Sequence, residues 1–449
     1  MSLPVTDISP FAARRRRLLD WMRAQGGGIA LLPTAAEALR NRDADFPYRH
    51  DSDFYYLTGF TEPEAWVVLL AGEDDERAIL FCRSKHPERE IWDGVRFGPE
   101  AAAERFGFDQ AQAVETLDEA LPGLLLDRPA VFAPLGEAAI DARLRRWLEA
   151  ARRQGRGGHS APARLHDLRA RLAEMRLVKD ASEIAAMRHA AEISAAAHVR
   201  AMRAARPGMH EYEIEAELLY EFRRRGAQSV AYNSIVAAGA NACVLHYRAG
   251  DTVMRDGDLL LIDAACEYDS YASDITRTFP VNGRYGGPQR ALYDLTVAAQ
   301  QAAADATAPG RGWNEGHDAA VRVLAQGLID ERLIAGSLDG ALESRAYERF
   351  YMHRTGHWLG LDVHDVGDYR EPAAGGRGGT ARPWRTLAPG MVLTIEPGLY
   401  VRPADDVPEH YWNIGIRTED DAVVTEDGCE LITRGVPVDA DEIEALMRG

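Results

Sequence analysis

The chain is 449 residues long, 46% hydrophobic and 27% charged, a composition able to bury a sizeable core over two or three domains without disulfide staples. Its formal charge of -18 argues against phosphate backbones as partners, which demand clustered Lys and Arg, so no nucleic acid is expected. The scattered Cys82, Cys243, Cys266 and Cys429 form no CxxC pair, and no run approaches a membrane span or signal-peptide core; a cytoplasmic protein with no membrane partner is expected.

In chain order, Ser9 and Pro10 open a helix with Phe11, Leu18 and Met22 in phase, and Arg14 to Arg17 fall mostly on its outer, solvated face. Short apolar runs at Ile29 to Leu32, Phe54 to Leu57, Trp66 to Leu70, Ala78 to Phe81 and Ala130 to Phe132 read as strands. With the helical pattern Ala138 to Ala150 they predict a smaller α/β domain. Gln154 to Ala163 is rich in chain breakers and predicts a linker or long surface loop. The expected domains are 1–173 and 174–449.

Asp180-Ala-Ser-Glu183 is a capping box opening a long helix on which Ile184, Met187, Ala191 and Val199 share a face. The helix from Glu211 stops at Arg223-Arg224-Arg225-Gly226, where cations meet the negative end of the dipole and glycine supplies the left-handed stop. Tyr232 to Val236 and Ala242 to His246 read as strand-like pieces. Pro288 opens a helix that Pro309-Gly310 terminates, another follows near Asp318 to Leu333, and strands and loops fill the chain after Tyr351. Helices before strands predict an α+β domain with a mostly antiparallel sheet.

The stretch Leu259 to Phe279, which carries Asp263 and Asp274, reads as two strands joined by the tight turn Glu267 to Ser270. A turn centred between Tyr268 and Asp269 sets Asp263 opposite Asp274 and Ile262 opposite Ile275. Two carboxylates so opposed have Cβ atoms about 5 Å apart and are destabilising unless a proton or cation lies between them. A metal ion is the expected occupant; the plainer alternative is a wet turn with two solvated aspartates.

Later segments carry candidate partners: His357 and His364 within Met352 to Gly367, Glu396 where the strand from Pro389 stops at Pro397, and Arg417 and Glu419 within Ile414 to Val424. Asp263, Asp274, Glu396, Glu419 and His357 would make an oxygen-rich site with a charge of about -4, neutralised by two divalent cations. Manganese (Mn2+) is the first choice, with Co2+, Zn2+ and Fe2+ as alternatives. Singly, each residue has a plainer reading: a rim glutamate, or one packed or surface histidine among 13. His353 and His357 lie four apart, but Arg354 stands where an HExxH helix needs glutamate, and Gly356 weakens the helix.

Taken together, Tyr232-Asn-Ser-Ile-Val, Leu245-His246-Tyr247, Leu261-Ile-Asp-Ala-Ala-Cys-Glu-Tyr, Asp274-Ile-Thr-Arg-Thr-Phe-Pro, His357-Trp-Leu-Gly-Leu-Asp-Val-His-Asp-Val-Gly, Pro389-Gly-Met-Val-Leu-Thr-Ile-Glu-Pro-Gly and Gly415-Ile-Arg-Thr-Glu-Asp-Asp resemble the pita-bread metallopeptidases related to prolidase. The likeness is strongest to the Xaa-Pro aminopeptidases, and Ser52 to Phe60 with Glu62-Pro-Glu-Ala extends it into the first domain. It implies an α+β fold, with a C-terminal pita-bread (creatinase/aminopeptidase) domain preceded by a smaller α/β N-terminal domain. The implied activity is a dinuclear metal-dependent aminopeptidase acting on peptides with proline at the second position, through attack of a metal-bridging hydroxide.

By the same resemblance, Asp263 would bind one metal, Asp274 and Glu419 would bridge both, and His357 with Glu396 would complete the shell of the second metal. Glu396 would move the proton of the nucleophile. His246, His364 and Tyr232 would face substrate, both histidines serving catalysis, and Arg417 would hold a ligand carboxylate from the same face of its strand as Glu419. A homodimer or homotetramer is implied, with Trp92 near a neighbouring subunit's site. A Gly-rich loop at 370–388 departs from the bacterial pattern; its Arg382 and Arg385 read as solvated, or as a grip for a carboxylate. A prolidase restricted to Xaa-Pro dipeptides is the near alternative. A metal-free pita-bread binding protein, or a creatine-hydrolysing enzyme without the metal pair, belongs to a different class and predicts lost ligands.

Overall fold

The computed structural model describes residues 7–73, 75–372 and 382–449. The described chain falls into two compact units that part between Met175 and Arg176.

The first unit is built on a six-stranded mixed sheet, β1 (Gly28–Pro33), β2 (Trp66–Ala71), β3 (Glu76–Cys82), β4 (Gln110–Ala113), β5 (Ala130–Ala133) and β6 (Arg164–Asp167), in the order β4-β3-β2-β1-β5-β6. β1, β2 and β3 are antiparallel neighbours, while β4, β5 and β6 join in parallel. Ile29, Leu31, Val68, Leu70, Ile79 and Phe81 project from one face into a core closed by the helices Leu117–Leu124 and Ala138–Arg152.

Two expectations fail in this unit, each for a local reason. Phe54 to Leu57 is not a strand but part of the helix Ser52–Thr58. Asp51 caps it by accepting from the Phe54 amide, and Gly59 ends it in the left-handed region at φ 64°. The arginine run of the first helix is not wholly solvated, since Arg14 and Arg15 are buried. Arg15 donates to the carbonyls of Leu57, Phe106 and Gly107, so one guanidinium satisfies the ends of two helices, Ser52–Thr58 and Gly98–Phe106. Arg14 lies 4.5 Å from the centroid of the Tyr56 ring.

In the second unit the capping box of Asp180 and Glu183 opens the helix Ala181–Ala204, and the helix Glu211–Arg224 stops before Gly226. The strands form four small sheets with antiparallel pairing throughout. They are β7 (Ser229–Val230), β8 (Ile235–Ala238), β9 (Leu259–Asp263), β10 (Cys266–Tyr268), β11 (Tyr271–Ala272), β12 (Thr276–Pro280), β13 (Val392–Ile395), β14 (Gly398–Val401), β15 (Ile414–Arg417), β16 (Asp420–Val424) and β17 (Cys429–Leu431). Ala242 to His246 is not a strand, because Gly239–Cys243 coils into a 3-10 turn. Buried Glu211 draws the donors of this segment to itself. Its carboxylate accepts from Ala238 N at 2.8 Å, Asn241 Nδ2 at 2.9 Å, the Tyr247 hydroxyl at 2.9 Å and Gly250 N at 3.2 Å.

The hairpin register also differs from the expectation. Tyr268 pairs with Tyr271 across a tight turn formed by Asp269 and Ser270, at φ 47° and 69°. Asp263 therefore faces Thr276, and Ile262 faces Arg277. Asp274 lies two residues along the partner strand, diagonal to Asp263 and on the same face.

Behind the loop that carries His364, Asp365 is buried against two cations. Its Oδ2 lies 3.0 Å from Lys179 Nζ, and Oδ1 accepts from Arg176 Nη2. Burial works against its charge, but Lys179 and Arg176 outweigh that and hold the carboxyl below its usual range. Because the folded-state pKa is depressed, this stabilisation is complete above the unfolded value of about 3.9 and is lost as pH falls through the folded value. Asp365→Ala removes the carboxylate that buried Lys179 faces, while Arg176 keeps Asp362 at 2.7 Å, and should cost about 3 kcal/mol at pH 7 in denaturant titration, with the deficit shrinking as pH falls through the folded value.

Candidate metal centre

Five separate stretches of chain meet at one cavity of about 520 Å³, lined by Asp263, Asp274, His357, Glu396 and Glu419 among others. Their convergence is dictated by backbone pairing. Glu419 N donates to Thr276 O at 3.0 Å and the Thr278 hydroxyl donates to Arg417 O at 2.9 Å, which ties the strand end holding Glu419 to β12 beside Asp274. Thr394 N donates to His357 O at 2.9 Å and Glu396 N to Thr355 O at 2.8 Å, which lays the His357 segment along β13. The approach requires Gly356, since a Cβ there would stand 2.0 Å from Thr394 O. The His357 segment is accordingly extended chain rather than an HExxH helix.

Ligand atoms of Asp274, His357 and Glu419 all lie within 4.8 Å of one another. His357 donates from Nδ1 to Trp358 O at 2.9 Å, which turns Nε2 toward the acids, 3.4 Å from Asp274 Oδ2 and 3.9 Å from Glu396 Oε1. The Tyr232 hydroxyl stands 2.6 Å from Asp263 Oδ1 and 2.5 Å from Asp274 Oδ1. It has one proton to donate and two carboxylates to satisfy.

The electrostatics carry the same imbalance. Burial raises Asp274, pushes Glu396 up to about 7 and lifts Glu419 well above its usual range, with the neighbouring carboxylates adding to each. Burial opposes the imidazolium of His357, but the Asp274 hydrogen bond and the charges of Glu396 and Asp274 win and raise it to about 9. Burial and the nearby carboxylates also lift the Tyr232 hydroxyl well above its ordinary value. Four carboxylates and one imidazole, short of protons and turned inward, fit hard or borderline divalent cations.

A second tier fixes these groups. Arg417 donates from Nη2 to Asp263 Oδ2 at 2.6 Å, from Nε to Thr276 Oγ1 at 3.2 Å and from Nη1 to Tyr400 Oη at 2.8 Å. Thr276 in turn donates its hydroxyl to Glu419 Oε2 at 2.6 Å. Arg277, wholly buried, grips Thr276 O at 3.0 Å and Glu419 O at 2.6 Å and is paired with buried Asp420 at 2.7 Å.

His246 and His364 are exposed at the cavity wall, with the rings of His364 and His357 4.2 Å apart, and Tyr232 sits against the carboxylates. Sequence reasoning passed over His353 and Tyr400. His353 Nδ1 donates to Arg354 O at 2.8 Å, leaving Nε2 to accept from Tyr400 at 2.9 Å, so Arg417, Tyr400 and His353 form a chain of hydrogen bonds along the wall. His353 was considered only within a helix that does not form, and nothing in the strand pattern around Tyr400 marks its hydroxyl. Residues 373–381 of the Gly-rich loop lie outside the described residues. Of the two arginines singled out in it, Arg385 is buried rather than solvated, donating to Asp368 O at 3.2 Å, and Arg382 donates to Glu371 O at 3.3 Å.

Comparison with known proteins places the chain among relatives. Residues 185–426 match the model of metallopeptidase family M24, and residues 11–132 match that of the aminopeptidase P N-terminal domain. The Xaa-Pro aminopeptidase of Escherichia coli is 45% identical over 439 residues, 97% of each chain, and human Xaa-Pro aminopeptidase 3 is 30% identical over 97% of this chain and 85% of its own. Among solved structures, a Pseudomonas aeruginosa aminopeptidase superposes with a TM-score of 0.94 at 50% identity over 99% of both chains. Zinc-substituted Escherichia coli aminopeptidase P in complex with product superposes at 0.93 with 43% identity, over 100% of this chain and 99% of that one. With an aminopeptidase P N-terminal domain followed by a pita-bread domain, the chain belongs to metallopeptidase family M24 and is a metallo-exopeptidase.

Proposed function

We propose that this protein is an Xaa-Pro aminopeptidase holding two divalent cations, manganese first, and releasing the residue before a penultimate proline. The observation that carries the reading is the convergence of Asp263, Asp274, His357, Glu396 and Glu419 on one cavity; the Xaa-Pro aminopeptidases it resembles along nearly their whole length support the substrate class. Asp263 would hold one cation, Asp274 and Glu419 both, and His357 with Glu396 the other. Bound there, the cations supply Lewis acidity that activates water for attack on the carbonyl before proline.

The chain's own residues then do the following. Glu396, at the cavity wall, would take and return the proton of the attacking water. His364 and His246, which line the cavity, would hydrogen-bond the substrate and the negative charge that develops on its carbonyl oxygen. Tyr232 and Arg417 hold the carboxylates in their rotamers. Because proline's nitrogen carries no proton in the peptide, one must be delivered to it as it leaves.

Four unpaired cysteines support a reducing compartment. Ile91, Trp92 and Val95, each more than 80% exposed, support a homodimer or homotetramer, since such an apolar patch favours burial.

Metal analysis after dialysis against manganese should return about two equivalents, and Asp274→Ala should lose at least one of them together with all turnover while keeping its circular dichroism. An unchanged metal content and rate in that variant would reject the reading, and so would absence of hydrolysis by wild-type protein in excess manganese. Arg417→Ala, which frees the Asp263 carboxylate, should lower metal affinity or kcat/KM roughly 10- to 100-fold, measured by calorimetry and steady-state rates. A length series separates the near alternative: an Xaa-Pro-Ala tripeptide should be hydrolysed faster than the Xaa-Pro dipeptide, and the opposite order would make the enzyme a prolidase.

A further inference from the structure

The cavity that holds the acidic cluster is bordered by two arginines which the mechanism does not use. Arg248 and Arg354 both line it, and both are exposed, whereas Asp263, Asp274 and Glu419 below them are buried. The cavity is thus polarised, with carboxylates at the floor and guanidinium groups at the rim.

The rim cations are held in place by groups that carry no charge. Asn233, with its amide oriented to suit, accepts from Arg248 Nη1 at 3.0 Å and Nη2 at 3.2 Å. Arg354 donates to the amide oxygen of Asn314 and lies 5.4 Å from the Trp384 ring centroid. Among the described residues no carboxylate pairs with either one, although the chain has 70 acidic residues to its 52 basic ones. Arg417 in the same cavity shows the contrast, since its guanidinium is occupied by Asp263 at 2.6 Å. An oriented guanidinium without a counter-charge is a ready partner for a carboxylate, which its planar fork can bind through two hydrogen bonds.

We infer that Arg248 and Arg354 form a carboxylate-recognition subsite for the leaving part of the peptide, and that the preferred substrates are short peptides whose C-terminal carboxylate reaches the rim. This deepens the Xaa-Pro aminopeptidase reading and rests on it. A peptide entering amine first places its positive end at the acidic floor and its negative end at the arginines. Three extended residues span roughly 10 Å, and a cavity of about 520 Å³ falls in the size range that encloses a small ligand. The same chemistry would serve an acidic side chain just beyond proline, so the test separates the two sources.

The experiment uses manganese-loaded full-length enzyme and three peptides: Ala-Pro-Ala as the free acid, Ala-Pro-Ala amide and Ala-Pro-Glu amide. The free acid should have a kcat/KM roughly tenfold above its amide at low salt, falling toward parity in 1 M salt. Recovery of the advantage by Ala-Pro-Glu amide assigns the subsite to side chains as well, and no recovery assigns it to the C-terminus alone. Arg248→Gln with Arg354→Gln should bring the acid-to-amide ratio to about one, and Arg248→Glu should invert it. Equal rates for all three peptides in the wild type, a measurement that needs no variant, would overturn the subsite, as would a ratio that survives the double substitution. Hydrolysis of none of the three would instead overturn the aminopeptidase reading.

Discussion

Repulsion among buried carboxylates is the constraint that the second unit is built to manage. Asp263, Asp274, Glu396 and Glu419 share one floor, and a single phenolic proton from Tyr232 stands between two of them. In water such a cluster would disperse at little cost. Here each acid is delivered by a different strand or strand end and cannot retreat without breaking the pairing that carries it. The surplus negative charge is therefore a fixed property of the fold, and it favours positive charge in the cavity.

Holding that charge in place takes nearly as many residues as creating it. Arg417 and Thr276 span the distance between Asp263 and Glu419 with three hydrogen bonds, and the imidazole of His357 is oriented by a backbone carbonyl that points Nε2 inward. These partners take no part in bond making. They remove the rotamer freedom that would otherwise let each acid turn away from its neighbours.

Much of this was legible in the chain because the residues that carry chemistry sit at abrupt changes of pattern: aspartates at both ends of an apolar hairpin, a glutamate halted by Pro397, an acidic triplet after Arg417. The register was not legible, because it depends on which two residues take positive φ, and neither Asp269 nor Ser270 is a glycine that would have announced it. The diagonal placement of Asp263 and Asp274 keeps both on one face, so both still line the cavity. Phe54 to Leu57 misled because an apolar run of four fits a strand and a buried helix turn equally, and the deciding evidence lay outside it in Asp51 and Gly59. Arg14 and Arg15 misled because charge on a helix was equated with solvent, although guanidinium groups also serve the unsatisfied carbonyls of other helices. His353, Tyr400 and Thr276 were beyond reach, since their hydrogen bonds exist only once distant strands have met.

The pair of Arg277 and Asp420 has a mechanical consequence. Both side chains are withdrawn entirely from water, and Arg277 also grips the carbonyls of Thr276 and Glu419. Sliding one strand past the other would break this buried pair and the carbonyl bonds of Arg277 together, so the wall that carries Glu419 is braced against shear. The exposed side of the same cavity, where His246, Arg248 and Arg354 stand, has no such brace of paired buried ions among the described residues.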